Sequence, residues 1–472
     1  MENTCELLVT NGRVVIPYKG VFETNLLIEE GKIKSIRKST NNVQADHKVD
    51  AKGNYVLPGL IDPHVHYGVF TPIEKASRTE SRAAAIGGVT TMMRMIRING
   101  SYKQISKHID ASKNNHLVDY AIHASILNQS QIKEMDFLST LGVNSFKIYM
   151  NLGTSLNQIL ADIDPGTSDL VDTEVNMNER LIRNIAKKSA QLNSTLLVHA
   201  EDYLDCAEKL KTFKARKMKP RNLLKAWSNL RPPSTEVKSI IKMINFGSLY
   251  NSNLYFVHIG SSEAINTIIQ RKRTYEGKIW VETCPHYLTH SIDYNDAKGK
   301  VVPPLRTKND VRSIWDALEK GHVDTIGTDH VANNILLKNI DADLWDVRAG
   351  FPGIGTMLPV MLSEGVNRGR IDIIRLSELC SYNTARIFGL FPKKGNIAIN
   401  SDADLTIIDI DKELRVTPDL LQSFSDYSIY DGWKLRGWPI MTIVRGRIVM
   451  ENGEIDEKMI GQGKFVNTKT HV

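Results

Sequence analysis

At 472 residues, the chain is too long for one compact domain of ordinary size, unless that domain is a large α/β barrel with additions. Its 42% hydrophobic and 24% charged residues are ordinary for a globular protein and exclude a disordered, collagen-like or coiled-coil chain. Lys and Arg number 60 against 53 Asp and Glu, a net charge of +7 spread along the chain with short basic clusters such as 214–221, which suits a solvated face better than a nucleic-acid footprint.

The first stretch reads as short strands at 6–10, 12–16, 24–29 and 32–38, with Asn11-Gly12 and Glu30-Gly31 as turn signals between them. The far end reads alike, with strands at 404–410, 440–444 and 446–450 and breakers at Gly446 and Asn452-Gly453. Two β-rich ends around a long middle predict one small domain assembled from both termini. The middle alternates apolar runs with helical patterns. The runs are 55–61, 88–95, 118–126, 143–150, 195–202, 253–260, 278–285 and 324–330, and helices are predicted at 179–192, 236–246, 262–273 and 309–320. Alternating strands and helices imply right-handed βαβ units, and eight of them close naturally into a (β/α)₈ barrel. The predicted fold is therefore α/β: a TIM barrel over 55–390, with a small β-sandwich domain built from 1–54 and 391–472.

The four cysteines, Cys5, Cys206, Cys284 and Cys380, make no CxxC pair, as expected in a reducing cytosol. No apolar run is long enough to span a bilayer and no signal-peptide apolar region opens the chain, so a cytoplasmic protein without membrane or nucleic-acid partners is expected.

Chemistry concentrates at the strand ends. The first run closes on Asp62-Pro63-His64-Val65-His66, where alternation points both imidazoles the same way. Later runs close on Lys147, on His199, on His258 and on Asp329. In a barrel these C-terminal ends converge on one mouth, where active sites of this fold sit. Each residue alone has a plain structural role: a satisfied core histidine, a helix-capping Asp, a snorkelling Lys. Six costly polar groups at the same end of successive strands point instead to a site for Zn²⁺ or a similar divalent ion. A cationic Lys147 would be repelled by metal ions, but a buried lysine can lose its proton, and the neutral amine can react with CO₂ to give a bridging carbamate, N6-carboxylysine.

These motifs resemble the amidohydrolase superfamily, in its cyclic-amidase branch of hydantoinases, dihydropyrimidinases, allantoinases and dihydroorotases. The matching text spans nearly the whole chain: VLPGLIDPHVH, ESRAAAIGGVTTM, FKIYM, VHAED, VHIGS, ETCPHYL, PPLR, GTDH, GFPGIGTMLPVML, NTARIFGL and SDADLTIID. The resemblance implies a hydrolase that opens a cyclic amide or ureide at a C–N bond. It implies two divalent ions, Zn²⁺ first, with Mn²⁺, Co²⁺ and Fe²⁺ equally compatible with the donors. His64, His66, carboxylated Lys147 and Asp329 would hold one ion, and Lys147, His199 and His258 the other. Asp329 would also move the proton, and relatives commonly form homodimers or homotetramers.

Departures from the family text bear on the substrate. D-hydantoinases and dihydropyrimidinases carry an oxyanion-binding Tyr where this chain has Leu152, which lacks a donor. The Arg of the dihydroorotase HxHxR motif is replaced by Gly68, which disfavours that activity, the runner-up reading. Backbone groups at Val302 and Ala349 fall where hydantoinases hold the imide edge. The second run carries Arg94 and Arg97 where relatives have an acidic residue and a Met-Pro-x-Asn stretch. Either Arg94 or Arg97 is a candidate to hold an anionic substrate group, although an ion pair at a surface or interface is the plainer role for both. Glu201 and Glu282 are expected to orient ligand imidazoles, His286 and His330 to lie near the mouth, Cys284 to line the wall, and Trp227 and Trp315 to pack between helices. A non-catalytic scaffold related to dihydropyrimidinase is the reading from another class; such a scaffold need not keep Lys147 or Asp329.

Overall fold

The computed structural model describes residues 4–215 and 222–468; residues 216–221 of the basic cluster, and the side chains of residues 214 and 215, lie outside the described part. The chain opens with β1 (Thr4–Ile16), β2 (Gly20–Glu29), β3 (Lys32–Arg37), β4 (Gln44–Asp50) and β5 (Tyr55–Pro58). Glu30-Gly31 makes the expected hairpin between β2 and β3, both residues having positive φ. Asn11-Gly12 does not separate two strands. It sits in a register shift inside the single strand β1, whose first half pairs with β4 and whose second half pairs with β5. The bulge lets one strand bend from one partner to the next.

The run 55–61 is also two elements. β5 ends at Pro58 and belongs to the terminal domain, where it pairs with β1 and with a strand from the far end of the chain. Past Gly59 the barrel begins with β6 (Leu60–His66), β7 (Val89–Ile96), β8 (Asp119–Ser125) and β9 (Ser145–Tyr149). A short antiparallel hairpin, β10 (Gln158–Ala161) and β11 (Val171–Glu174), leaves the barrel before β12 (Thr195–His199). Then come β13 (Asn253–Phe256), β14 (Ile279–Thr283), β15 (Thr325–Ile326) and β16 (His330–Val331). The strands are parallel neighbours in chain order, the hairpin excepted. β15 pairs with β14 and β16 pairs with β6, so the single segment 325–331 joins the two ends of the sheet and closes the ring. Every residue of β7 is buried, as expected for a strand covered on both faces.

Helices pack outside. The four predicted ones appear as Glu179–Gln191, Pro233–Ser248, Ser262–Lys272 and Lys308–Glu319. Their starts are set by side-chain caps at three of them: Asn178 accepts from Leu181 N, Ser261 from Ala264 N, and Thr307 forms a capping box with Asp310.

The chain ends on β17 (Leu405–Arg415), β18 (Lys434–Val444), β19 (Arg447–Glu451) and β20 (Glu454–Ile455). These continue the sheet of β1 to β5 through the β17–β5 pairing, so both termini build one β domain around a core of Leu7, Val9, Val14, Leu26, Ile28, Val56, Leu405, Ile407 and Ile443. The last residues then return to the barrel. Val466 N donates to Tyr120 O at 2.7 Å and Thr468 Oγ1 to Gly142 O at 2.8 Å, at the N-terminal ends of β8 and β9, on the face opposite the mouth. Among the described residues no helix is long and apolar enough to cross a membrane.

Candidate active site

At the C-terminal ends of the strands lies a cavity of about 360 Å³. Its wall includes His64 and His66 from β6, Lys147 from β9, His199 from β12, His258 just after β13, and Asp329 between β15 and β16. All six residues picked from the strand ends therefore meet at one mouth. His258 and Asp329 do so with positive φ, 44° and 49°. Non-glycine residues pay for that backbone, and such strain persists mainly where the fold must aim a side chain.

The tightest group is His64, His66 and Asp329. His64 Nε2, His66 Nε2 and Asp329 Oδ1 lie 3.3 Å from one another. Metal–ligand bonds of about 2.0–2.1 Å in a tetrahedral site place neighbouring donor atoms about 3.3–3.4 Å apart, so the three atoms fit three corners around a small divalent ion. Burial holds His64, His66 and His258 well below the ordinary imidazole value, which leaves their rings neutral and their lone pairs available. The positive charge of Arg97 is the next cause at His66.

Buried carboxylates fix the rings. Glu282 Oε1 lies 2.8 Å from His64 Nδ1, which turns His64 Nε2 to face the cavity. The same oxygen accepts from His258 N, and Oε2 from the Tyr255 hydroxyl. His199 Nε2 donates to Glu201 Oε2 at 2.7 Å, which leaves the lone pair of Nδ1 available to an ion. Arg231 grips both oxygens of Glu201, at 3.0 and 2.8 Å. Burial alone would raise the Glu201 carboxyl, but Arg231 overrides it and brings the value to about 2. The orienting role expected for both glutamates is thus present, and Arg231 was missed. Its signal, an Arg ahead of Pro232-Pro233, is indistinct in sequence because the pairing spans thirty residues.

Asp62 has a structural role that the strand-end pattern does not disclose. It accepts from His64 N and Thr328 N with Oδ1, and from the Thr328 hydroxyl with Oδ2. It therefore ties the His64/His66 strand to the segment that presents Asp329. Lys147 is fully buried and its Nζ has no hydrogen-bond partner among the described residues. Burial lowers its amine to about 7, against the pull of Glu282 and Asp329, so a neutral fraction exists near neutral pH.

The remaining candidates also line the cavity: Leu152, Val302, Ala349 and Arg97. The two backbone segments are stitched together, Gly350 N donating to Lys300 O at 3.0 Å. Lys338 Nζ, buried, donates to Lys300 O at 2.9 Å and also to Gly350 O. Arg94 is different. It is buried, donates from Nε to Tyr67 O at 3.0 Å and pairs with Asp162 at 2.5 Å, so it is an internal ion pair rather than a wall residue. Trp227 corrects another expectation. It is cavity wall, with Nε1 donating to Val301 O and Lys300 Nζ 4.3 Å over its ring; Trp315 does pack, donating to Leu288 O. Cys284 belongs to the buried core and not to the cavity wall. His330 satisfies the backbone at Gly353 N and faces Glu80, and His286 packs on Tyr287 and Phe351. Gln158, Ile159 and Leu160 enter the wall from the β10–β11 hairpin, which the strand-end pattern could not reveal.

A barrel whose mouth gathers buried, neutral histidines, one carboxylate and a partnerless lysine defines a candidate metal-dependent hydrolase. The chain belongs to the amidohydrolase family, whose model matches residues 55–449. It is 29% identical over 478 residues to the L-hydantoinase of Paenarthrobacter aurescens, with 99% of each chain covered. It is 30% identical to the D-hydantoinase of Rhizobium radiobacter, covering 95% of this chain and 96% of that one. Among solved structures, the L-hydantoinase (dihydropyrimidinase) from Arthrobacter aurescens matches with a TM-score of 0.88 at 28% identity, covering 98% of this chain and 100% of that one. The dihydropyrimidinase of Brevibacillus agri matches with a TM-score of 0.88 at 25% identity, over 98% and 99%.

Proposed function

We propose that the protein hydrolyses a ring amide bond in a cyclic amide or ureide, as the hydantoinases and dihydropyrimidinases it resembles do. One observation carries the reading: three donor atoms 3.3 Å apart, the His64 ring held by Glu282, with no lysine or arginine paired to any of the three among the described residues. We assign His64, His66, Asp329 and carboxylated Lys147 to one divalent ion, and Lys147, His199 and His258 to a second, Zn²⁺ being the first candidate. The buried, partnerless Nζ of Lys147 supports carbamate formation, because only a neutral amine attacks CO₂. When bound, the ions acidify water and polarise the ring carbonyl.

The chain's own residues do the rest. Glu282 and Glu201 hold the imidazoles in their tautomers, and Asp62 holds the Asp329 segment against β6. Asp329 accepts the proton of the attacking water and delivers it to the departing ring nitrogen, giving a ring-opened carbamoyl or amide acid. Backbone groups at Val302 and Ala349 hold the imide edge, a pair kept in register by the Gly350–Lys300 hydrogen bond. Leu152 offers the substrate only an apolar surface.

The test is a panel of hydantoin, dihydrouracil, allantoin and dihydroorotate on metal-loaded protein, with metal content measured in parallel. Opening of at least one ring by wild type, and its loss in Lys147→Ala together with bound metal, is expected. Two ions bound with no ring opened would defeat the substrate assignment; full activity in Lys147→Ala would defeat the carbamate.

A further inference from the structure

Among the described residues four basic side chains line the cavity, and three of these are accounted for. Lys147 is assigned above. Lys300 Nζ is held by the carbonyls of Leu344, Trp345 and Val347. Arg348 donates to Leu337 O at 3.0 Å and lies over the Phe70 ring. Arg97 is left. No carboxylate lies within ion-pair distance of its guanidinium among the described residues, and its buried Nε has no hydrogen-bond partner.

The neighbouring acid explains why. Asp162 is the natural partner for Arg97, but its Oδ1 is taken by Arg94 and its Oδ2 by the Arg97 backbone N–H, each at 2.5 Å. Two more backbone bonds lock this loop in place: Asp162 N to Arg97 O at 2.8 Å and Ile163 N to Gly68 O at 2.9 Å. Arg94 in turn cannot swing into the cavity. Its guanidinium fills the space beside Gly68, where an added Cβ would meet it at 2.6 Å. The two arginines of one strand thus have separate tasks. Arg94 neutralises Asp162, and that leaves the Arg97 guanidinium unpaired beside His66. Among the described residues the one carboxylate on the cavity wall is Asp329, a proposed metal ligand, so no other described acid on this wall competes for Arg97.

An unpaired, partly buried guanidinium is costly unless an anion arrives with the ligand, and its planar fork matches a carboxylate with two parallel hydrogen bonds. We infer that the ring opened here carries a carboxylate substituent, which Arg97 anchors while the ring amide faces the proposed metal ligands. This deepens the proposed hydrolysis and rests on it.

The experiment compares two ring substrates that differ in charge and little in shape: hydantoin with a 5-carboxymethyl arm, and the primary amide of the same compound. Wild type should favour the acid in kcat/KM, mainly through KM. Arg97→Gln should reduce the acid-to-amide ratio about 10- to 100-fold, and Arg97→Lys, which keeps the charge but loses the fork, should recover part of it. A wild-type ratio at or below one overturns the inference. So does a ratio unchanged in Arg97→Gln, which would move Arg97 to the reacting carbonyl, or a loss of bound metal in that variant, which would make it a partner of the Lys147 carbamate. If neither ring opens, calorimetric binding of both compounds to the metal-loaded protein decides. Tighter binding of the acid, weakened in Arg97→Gln, supports the anchor even though the hydrolysis reading has failed, whereas equal or absent binding overturns the anchor.

Discussion

Two clusters of converging ligand-type side chains sit at opposite faces of the barrel, and they solve the same problem differently. At the mouth, Asp329 meets His64 and His66. At the floor, Asp119, at the start of β8, meets Asp402 and Asp404 from the terminal domain, and these three oxygens are also close enough to share an ion. The floor cluster already contains its cations. Lys394 Nζ contacts Asp119 at 2.7 Å, Asp402 at 3.1 Å and Asp404, while Arg445 pairs with Asp119. Burial alone would lower the Lys394 amine, but the three carboxylates override it and hold it above its ordinary value. At the mouth, the basic groups acting on the donor atoms are Arg97 and Lys147, and burial lowers the Lys147 amine instead. A converging set of ligand atoms therefore signals a metal only where the protein has not supplied the counter-charge. The floor cluster is a clasp between barrel and terminal domain.

The contrast can be broken at either end. Asp329→Asn should cost the most: ring opening falls by roughly 10²- to 10⁴-fold, the usual worth of a positioned acid–base group, while the thermal midpoint stays close to wild type. Steady-state rates and a melting curve check both halves. Lys394→Met should do the reverse, leaving three buried carboxylates with one arginine and removing about 3–5 kcal/mol of stability, read by urea unfolding. Metal content should be unchanged in whatever fraction remains folded. A new ion bound at the floor of this variant would mean that the two clusters differ only in occupancy.

Acid titration sharpens the comparison further. The Glu201 carboxyl sits at about 2 in the folded state against an ordinary 4.5, because Arg231 outweighs its burial. A depressed carboxylate contributes stability that is complete above the unfolded value and disappears as pH falls through the folded one. Unfolding free energy should thus drop by about 3 kcal/mol between roughly pH 4.5 and pH 2 on account of this pair. The drop should be smaller in the double variant Glu201→Gln, Arg231→Met, compared by urea unfolding across that range. The smallest effect is expected for Glu282→Gln. It keeps an oxygen for His64 but weakens the acceptor, and should lower metal affinity about 10- to 100-fold, measured by competition with a chelator.

Much of the site was legible because its signals are local. A strand alternates its side chains, so His64 and His66 had to share a face whatever surrounded them, and the fold class followed from runs separated by helical stretches. The hairpin turn at Glu30-Gly31 was equally readable, and Asn452-Gly453 was readable as a breaker although not as the turn of a hairpin, since only a few residues tolerate positive φ. Asn11-Gly12 misled for the same reason in reverse, because a bulge needs the same backbone freedom as a turn and only the partners of β1 distinguish them.

The sequence by itself determined which residue types end each barrel strand, and hence the mouth and its ligand-like set. Tertiary structure alone decided which nitrogen of His64 and of His199 faces the cavity, through Glu282 and the Arg231–Glu201 pair. It also decided that Arg94 is neutralised while Arg97 is not, that Trp227 is wall and not packing, and that the chain end returns to the barrel floor. The physical reason is range. Side-chain alternation and turn geometry act over two to four residues, whereas charge pairing and hydrogen bonding join segments that only the folded chain brings together.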